Sequence, residues 1–350
     1  MLYSLYRALR SAGHTVRVVS AQRDNYGMTT CELSWPETLT FGPEKRNGEV
    51  LIGELSSEEL SYLANTAADQ IEQEEFSDGL PDQIIANHIN VMALTAFIIA
   101  KRFKIPYSII THGTDTQLLI KDKRIADLFS EAARAASTIF TISKYVANQG
   151  SSVINGNFCV LGGAIDPEIF YETGSARKSS SRIIYVGRLV TEKGLWTLLD
   201  AIQYCRRDAE LIIIGEGPLQ TKLEAYIQTT FAGEKVRLLG YLPQERLRDL
   251  YNSAKIVVVP SVWQEPLGLV ILEAFACGVP VVASSVGGIT ELIRPGVNGL
   301  LVPPADPIAL GNALDLLMTD RCLYAAIKQN IAAIPIPTYK DLAKRVITLG

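Results

Sequence analysis

The stretch "IVVVPSVWQEPLGLVILEAFACGVPVVA", Ile256 to Ala283, decides the fold. It opens on a β-branched run, Ile256–Val259, and closes on another apolar run, Val279–Ala283. The segment between them, Leu269 to Cys277, is apolar or small throughout except for one carboxylate, Glu273. Strand, loop, helix and strand in this order make a parallel βαβ unit. A lone buried carboxylate is costly unless something pairs with it. The sequence therefore poses two questions: what Glu273 faces, and why a second acid, Glu265, precedes it beside Pro266 and Gly268.

The same alternation extends in both directions. Apolar runs at Ile183–Val186, Leu211–Ile214, Val236–Leu239 and Leu300–Val302 read as further strands. Asp306-Pro307 supplies an N-cap and a first-turn proline for a helix to about Met318. The first half reads as strands at Thr15–Ser20, Gln83–Asn87, Tyr107–Thr111, Thr138–Ile142 and Phe158–Leu161, with helices at Asn90–Phe103 and Arg124–Ala136. Asp24–Glu49 has no clear period and is expected to form loops and a short hairpin. "YETGSARKSSSR", Tyr171 to Arg182, is polar and without period, and reads as an interdomain linker. The expected domains are 1–172 and 183–330, with 173–182 between them and 331–350 packing back on the first domain. The fold class is α/β, with two doubly wound Rossmann-like domains facing a cleft at the carboxyl ends of their strands.

Composition narrows the class. A chain of 350 residues with 48% hydrophobic and 20% charged residues is globular and long enough for two domains. A net charge of −4 gives no basic stripe for nucleic acid. The five cysteines, at 31, 159, 205, 277 and 322, are scattered, form no CxxC pair, and read as reduced thiols in a cytoplasmic protein. No apolar run reaches the ~20 residues of a membrane span. Arg7 and Arg10 interrupt the start, and no signal peptide is read there. Lys101, Arg102 and Lys104 form a small basic cluster. It is read as a solvated helix end, with weak peripheral contact to the inner membrane face as the competing reading.

The residues suited to chemistry follow strands. "GRLVTEKG" places Arg188 and Lys193 after Ile183–Val186; "GEGP" places Gly215 and Gly217 after Leu211–Ile214; "PSVWQEPLG" ends near Glu265 after Ile256–Val259. A helix N-terminus beside Arg188 and Lys193 suits an anion such as phosphate. Spacing leaves Glu273 open between ligand hydroxyls, such as a ribose diol, and a structural salt bridge or loop cap. His88 and His112 also fall at strand ends, the latter in "THGTD" with Asp115. A histidine in such a place is often structural, and both readings stand. GxGxxG, GxxxxGK[ST], GxSxG and DxD are all absent, which disfavours dinucleotide oxidoreduction, a P-loop, a hydrolase elbow and a metal-presenting acid pair.

"EPLGLVILEAFACGVPVVASSVGG" resembles the most diagnostic segment of glycosyltransferase family 4, the retaining GT-B enzymes, including its E-x7-E pair, Glu265 and Glu273. "VGRLVTEKG", "IIGEGP", "LLGYL" and "THGTD" stand in that family's order. The resemblance implies metal-independent transfer of a sugar, with retention, from a nucleotide diphosphate donor to a hydroxyl acceptor. UDP-sugar is the favoured donor, and no cofactor is expected. The acceptor, whether small molecule, glycan or lipid-linked, stays open. By that likeness Arg188 and Lys193 neutralise the leaving diphosphate. Glu265, with the backbone of Leu267, Gly268 and Leu269, holds the donor sugar, and Glu273 takes the ribose. Gly215, Tyr241 and Leu242 line the nucleotide pocket. His112 reaches the sugar, with His88 and Asp115 on the acceptor side.

Two smaller departures are Leu267 where phenylalanine is usual, and "LGGAIDPEIF" where an asparagine-glycine turn is common. A larger one is that family members begin with a strand and glycine-rich loop, whereas Met1-Leu2-Tyr3 already reads as helix, so either the start is assigned late or the first strand is missing. The alternative function is accordingly a nucleotide-sugar-binding protein with little turnover.

Overall fold

A strand covered on both faces needs an unbroken apolar run rather than an alternating one. Ile256–Val259 is buried at all four positions, and Tyr107–Thr111 at all five. The computed structural model describes residues 2–20, 31–33, 39–40, 50–51, 54–174, 181–205, 209–231 and 235–350. It divides into one unit of Met1–Gly162 with Tyr339–Gly350 and a second of Gly163–Thr338.

The first unit opens with α1 (Leu2–Ser11) and four two-residue strands, β1 (Val19–Ser20), β2 (Cys31–Glu32), β3 (Leu39–Thr40) and β4 (Val50–Leu51). There follow α2 (Ser57–Glu75), β5 (Ile84–Asn87), α3 (Val91–Phe103), β6 (Tyr107–Thr111), α4 (Thr114–Lys121), α5 (Lys123–Ala135), β7 (Thr138–Thr141), α6 (Lys144–Ser151) and β8 (Phe158–Val160). Strands β5-β6-β7-β8 make a parallel sheet in sequence order. Buried alanines 64 on α2 and 93 and 96 on α3 let these two helices pack closely.

Helix α2 was not foreseen, although its signal is written in the sequence. Ser56 accepts from the Glu59 N–H, and the Glu59 carboxylate accepts from the Ser56 N–H, which is a capping box. The Thr15–Ser20 strand is reduced to two residues, because β1 pairs only with β2 among the described residues. The expected hairpin in Asp24–Glu49 is not seen in the part described: β3 pairs with β4 in parallel, a geometry no tight turn can join. The rest of that stretch lies outside the described residues.

The second unit contains β9 (Arg182–Val186), α7 (Leu195–Tyr204), β10 (Glu210–Ile214), α8 (Gln220–Thr230), β11 (Val236–Leu238), α9 (Gln244–Ser253) and β12 (Ile256–Val259). It continues with α10 (Leu269–Ala276), β13 (Val281–Ser284), α11 (Ile289–Leu292), β14 (Gly299–Val302), α12 (Pro307–Thr319) and α13 (Arg321–Ala332). All six strands are parallel, in the order β11-β10-β9-β12-β13-β14. This is the doubly wound Rossmann arrangement, in which the strand order reverses between β9 and β12. Strand β13 starts at Val281 rather than Val279, since Pro280 has no N–H and contributes only a carbonyl, to Val257.

The chain passes between units at Gly162–Gly163, not at the serine-rich stretch 173–182. The Thr173 N–H donates to Asn252 at 2.8 Å, and Arg182 begins β9, so the described parts of that stretch belong to the second unit. A polar, aperiodic stretch of sequence within a unit has the same composition as a linker. Helix α14 (Tyr339–Leu349) belongs to the first unit, where Leu349 O accepts from Thr138 at 2.6 Å and Arg345 donates to Leu161 O at 2.7 Å. No helix among the described residues is long and apolar enough to cross a membrane.

Leu198 on α7 is fully buried in the core of the second unit. Leu198→Ala should cost about 2–5 kcal/mol, measured as a lower urea midpoint for that unit.

Candidate active site

Ligands of doubly wound sheets bind outside the carboxyl ends of the strands at the reversal point, here between β9 and β12. Backbone contacts lock the loops there. Gly194, at φ 70°, ends the 3-10 turn Thr191–Lys193 in the left-handed region. A Cβ at that position would lie 1.9 Å from Pro260 O, so only glycine lets the loops after β9 and β12 approach this closely. The Val262 N–H donates to Glu192 O at 2.9 Å across the same seam. Gly215, at φ 136°, likewise brings the loop after β10 against Gly187 O.

This seam delivers Lys193 onto Glu265. The ammonium nitrogen lies 2.6 Å from Oε1 and 2.9 Å from Oε2. Glu265 is only 8% exposed, and its Oε2 also accepts from Ser261 Oγ at 3.1 Å and Trp263 Nε1 at 2.5 Å. Lys193 Nζ stands 5.4 Å from the centre of the Trp263 ring. The buried Tyr185 hydroxyl donates to Arg188 O at 2.9 Å, and burial together with the nearby Glu265 charge pushes its ionisation far up. The Arg188 side chain is exposed.

Helix α10 begins at Gly268, φ 90°, with no side-chain cap on its first turn. The free N–H groups of such a helix start favour an anion. Glu273, one turn in, accepts from the Tyr251 hydroxyl at 2.9 Å. Burial raises its carboxyl above the usual range, and the Tyr251 bond opposes that rise. Its side-chain partner is thus neither an arginine nor a loop, and among the described residues no hydrogen bond or ion pair joins it to Lys193 or Glu265. Leu267 is buried against Gly163, Leu242 packs on the core, and Tyr241 is 70% exposed beyond β11.

In the first unit, His88, His112 and Asp115 come together. The His88 and His112 rings lie with their centroids 4.7 Å apart and their planes tilted by 55°. His112 Nε2 is 2.8 Å from Asn87 Oδ1, and His88 Nδ1 is 3.6 Å from Asp115 Oδ2. His88 holds φ 74°, a backbone state uncommon outside glycine. Asp115 is turned inward: its oxygens accept from Thr111 Oγ1 at 2.6 Å, the Ile89 N–H at 2.8 Å and the Gly113 N–H at 3.1 Å. Burial opposes its ionisation, but His88, Thr111 and Ile89 outweigh burial and hold the carboxyl at about 2. Asp115 therefore clamps the loops after β5 and β6 together. Burial, helped by His88, pushes the His112 imidazole down to about 4. The ring is neutral at pH 7; its bond to an amide oxygen assigns the proton to Nε2 and leaves Nδ1 as an acceptor.

Of the expected basic cluster, Arg102 lies 2.5 Å from Asp69 and 3.3 Å from Glu72, and Lys101 lies 4.0 Å from Glu131. Sequence reasoning missed Trp263, Ser261, Asn87 and Tyr251. The first two stand in the quoted loop itself, but nothing local shows that they point at Glu265.

Between pH 6.5 and about 4 the unfolded chain binds a proton that folded His112 refuses. Stability of the first unit should therefore fall as pH drops through that window. Thermal melts across it should show the fall, and a smaller one in His112→Gln.

Residues 170–333 match the family model described as glycosyl transferases group 1. The uncharacterized glycosyltransferase MJ1607 of Methanocaldococcus jannaschii is 41% identical over 140 residues, 39% of this chain and 36% of that protein. The chain thus aligns with about a third of that relative's length. The sucrose-phosphate synthase of Thermosynechococcus elongatus superposes with a TM-score of 0.77 at 23% identity, over 99% of this chain and 91% of that one. HepE of Anabaena in complex with UDP gives 0.71 at 22%, over 82% and 81%. At these identities the likeness establishes the fold alone, that of the GT-B glycosyltransferases. The matched residues 170–333 span most of the second unit, so it is this unit, with its strand order, seam of loops and acid pair, that is similar to the glycosyl transferases group 1 family.

Proposed function

We propose that this protein is a glycosyltransferase that moves a sugar from a UDP-sugar to a hydroxyl acceptor. The observation that carries the proposal is the Lys193–Glu265 contact at the reversal between β9 and β12. There a fixed cation and a fixed carboxylate lie side by side, suited to a ligand that is a diphosphate at one end and a polyol at the other. The choice of UDP is supported by the shared fold of HepE, which was solved with UDP and with UDP-glucose.

In this reading Lys193, Arg188 and the start of α10 meet the negative charge that develops on the departing diphosphate. Glu265 and the backbone at Leu267, Gly268 and Leu269 hold sugar hydroxyls. Glu273 takes the ribose diol on the oxygen that Tyr251 leaves open, and Gly215, Tyr241 and Leu242 line the nucleotide. His112, neutral with Nδ1 as acceptor, takes a sugar hydroxyl. His88 is assigned to the acceptor side, and Asp115 acts there through its clamp. The anomeric carbon leaves the diphosphate oxygen and bonds the acceptor oxygen on the same face, and the acceptor proton passes to the departing phosphate. Positive side chains then do the work a divalent metal does elsewhere, so the reaction is expected to survive EDTA.

A panel of nucleotide sugars, read by donor consumption and by thermal shift, tests this reading. Glu265→Gln and Lys193→Ala should each lower turnover more than tenfold, about 1.4 kcal/mol or more in the barrier. Sugar transfer unchanged in both variants defeats the assignment. Binding of UDP-sugar without consumption favours a binding protein instead.

A further inference from the structure

We propose that Trp263 is a positioning residue for this reaction: its indole N–H decides which oxygen of Glu265 is left for the donor sugar, and its ring holds the Lys193 ammonium in place. The inference rests on the glycosyltransferase reading and adds to it a residue outside the E-x7-E pair.

The outer torsion of a glutamate side chain is broad and two-fold, so the carboxylate plane needs an external hold. Here the hold is one-sided. Oε2 accepts from Lys193, Ser261 and Trp263, whereas Oε1 accepts from Lys193 alone among the described residues. A carboxylate oxygen offers about two lone pairs, so Oε2 is saturated and Oε1 retains room for one hydroxyl. The three N–H bonds of Lys193 divide similarly. Two engage Glu265, and one is left for a phosphate oxygen. One side chain thus has its donor on the acid and its ring face beside the cation.

The indole stands at a partly exposed position. Its neighbours Val262 and Gln264 are exposed, and Trp263 itself is only partly buried. The indole has a single polar atom, and that atom is spent on Glu265.

The test compares wild type, Trp263→Phe, Glu265→Gln and the double variant. Phenylalanine keeps a ring over Lys193 and removes only the N–H. Trp263→Phe should lower kcat for donor consumption by about tenfold while UDP binding, measured by calorimetry, stays within about twofold. The double variant should be no slower than Glu265→Gln alone, since both act through one carboxylate. The chain has three tryptophans, so Trp263→Phe identifies the Trp263 indole resonance by its loss. That N–H should resonate downfield in wild type and return toward the free-indole position in Glu265→Gln. An unshifted indole, an unchanged kcat in Trp263→Phe, or an equal further loss in the double variant overturns the proposal while leaving the glycosyltransferase reading intact. A wild type that neither binds UDP nor consumes a nucleotide sugar overturns that reading, and this proposal with it.

Discussion

One ion pair, Lys193 to Glu265, closes the point where the strand order of the second unit reverses. Helices following strands on either side of such a point lie on opposite faces of the sheet, and ligands of doubly wound sheets bind there. The two residues stand 72 positions apart in the chain and meet because β9 and β12 are ladder partners, Ile183 beside Ile256. Gly194 and Pro260 set the height at which the loops touch. A buried ion pair contributes little net stability, because desolvation offsets attraction. Its presence among so many apolar residues is better explained by what it can hold than by what it stabilises.

The acids of this protein show how surroundings assign roles to one kind of group. Glu265 is saturated on one oxygen and open on the other. Glu273 shares its charge with a phenol. Asp115 is enclosed by two N–H groups and a hydroxyl, and its work is to bind two loops of the first unit. His112, a few ångströms away, is driven neutral by the same burial, so it contributes a lone pair rather than a positive charge.

Much of the architecture was legible because its causes are local. The β-branched run Ile256–Val259 favours a strand covered on both faces, and Asp306-Pro307 favours a helix start, each through a few neighbouring residues. The capping box at Ser56 and Glu59 was equally local and was overlooked. The hairpin expected in Asp24–Glu49 was drawn from the absence of a period, and absence of a pattern does not choose between parallel and antiparallel pairing.

By itself, then, the sequence determined the succession of strands and helices and the placing of Arg188, Lys193, Gly215, Glu265 and His112 at strand ends, since periodicity and turn chemistry act over a few residues. Tertiary structure alone decided the strand order, the unit boundary at Gly162–Gly163, and the partner of each acid. Tyr251 on Glu273, Trp263 on Glu265 and Thr111 on Asp115 are choices made by side-chain direction and by packing between distant segments. No spacing rule encodes those, because a hydrogen bond depends on where two atoms finish and not on how many residues separate them.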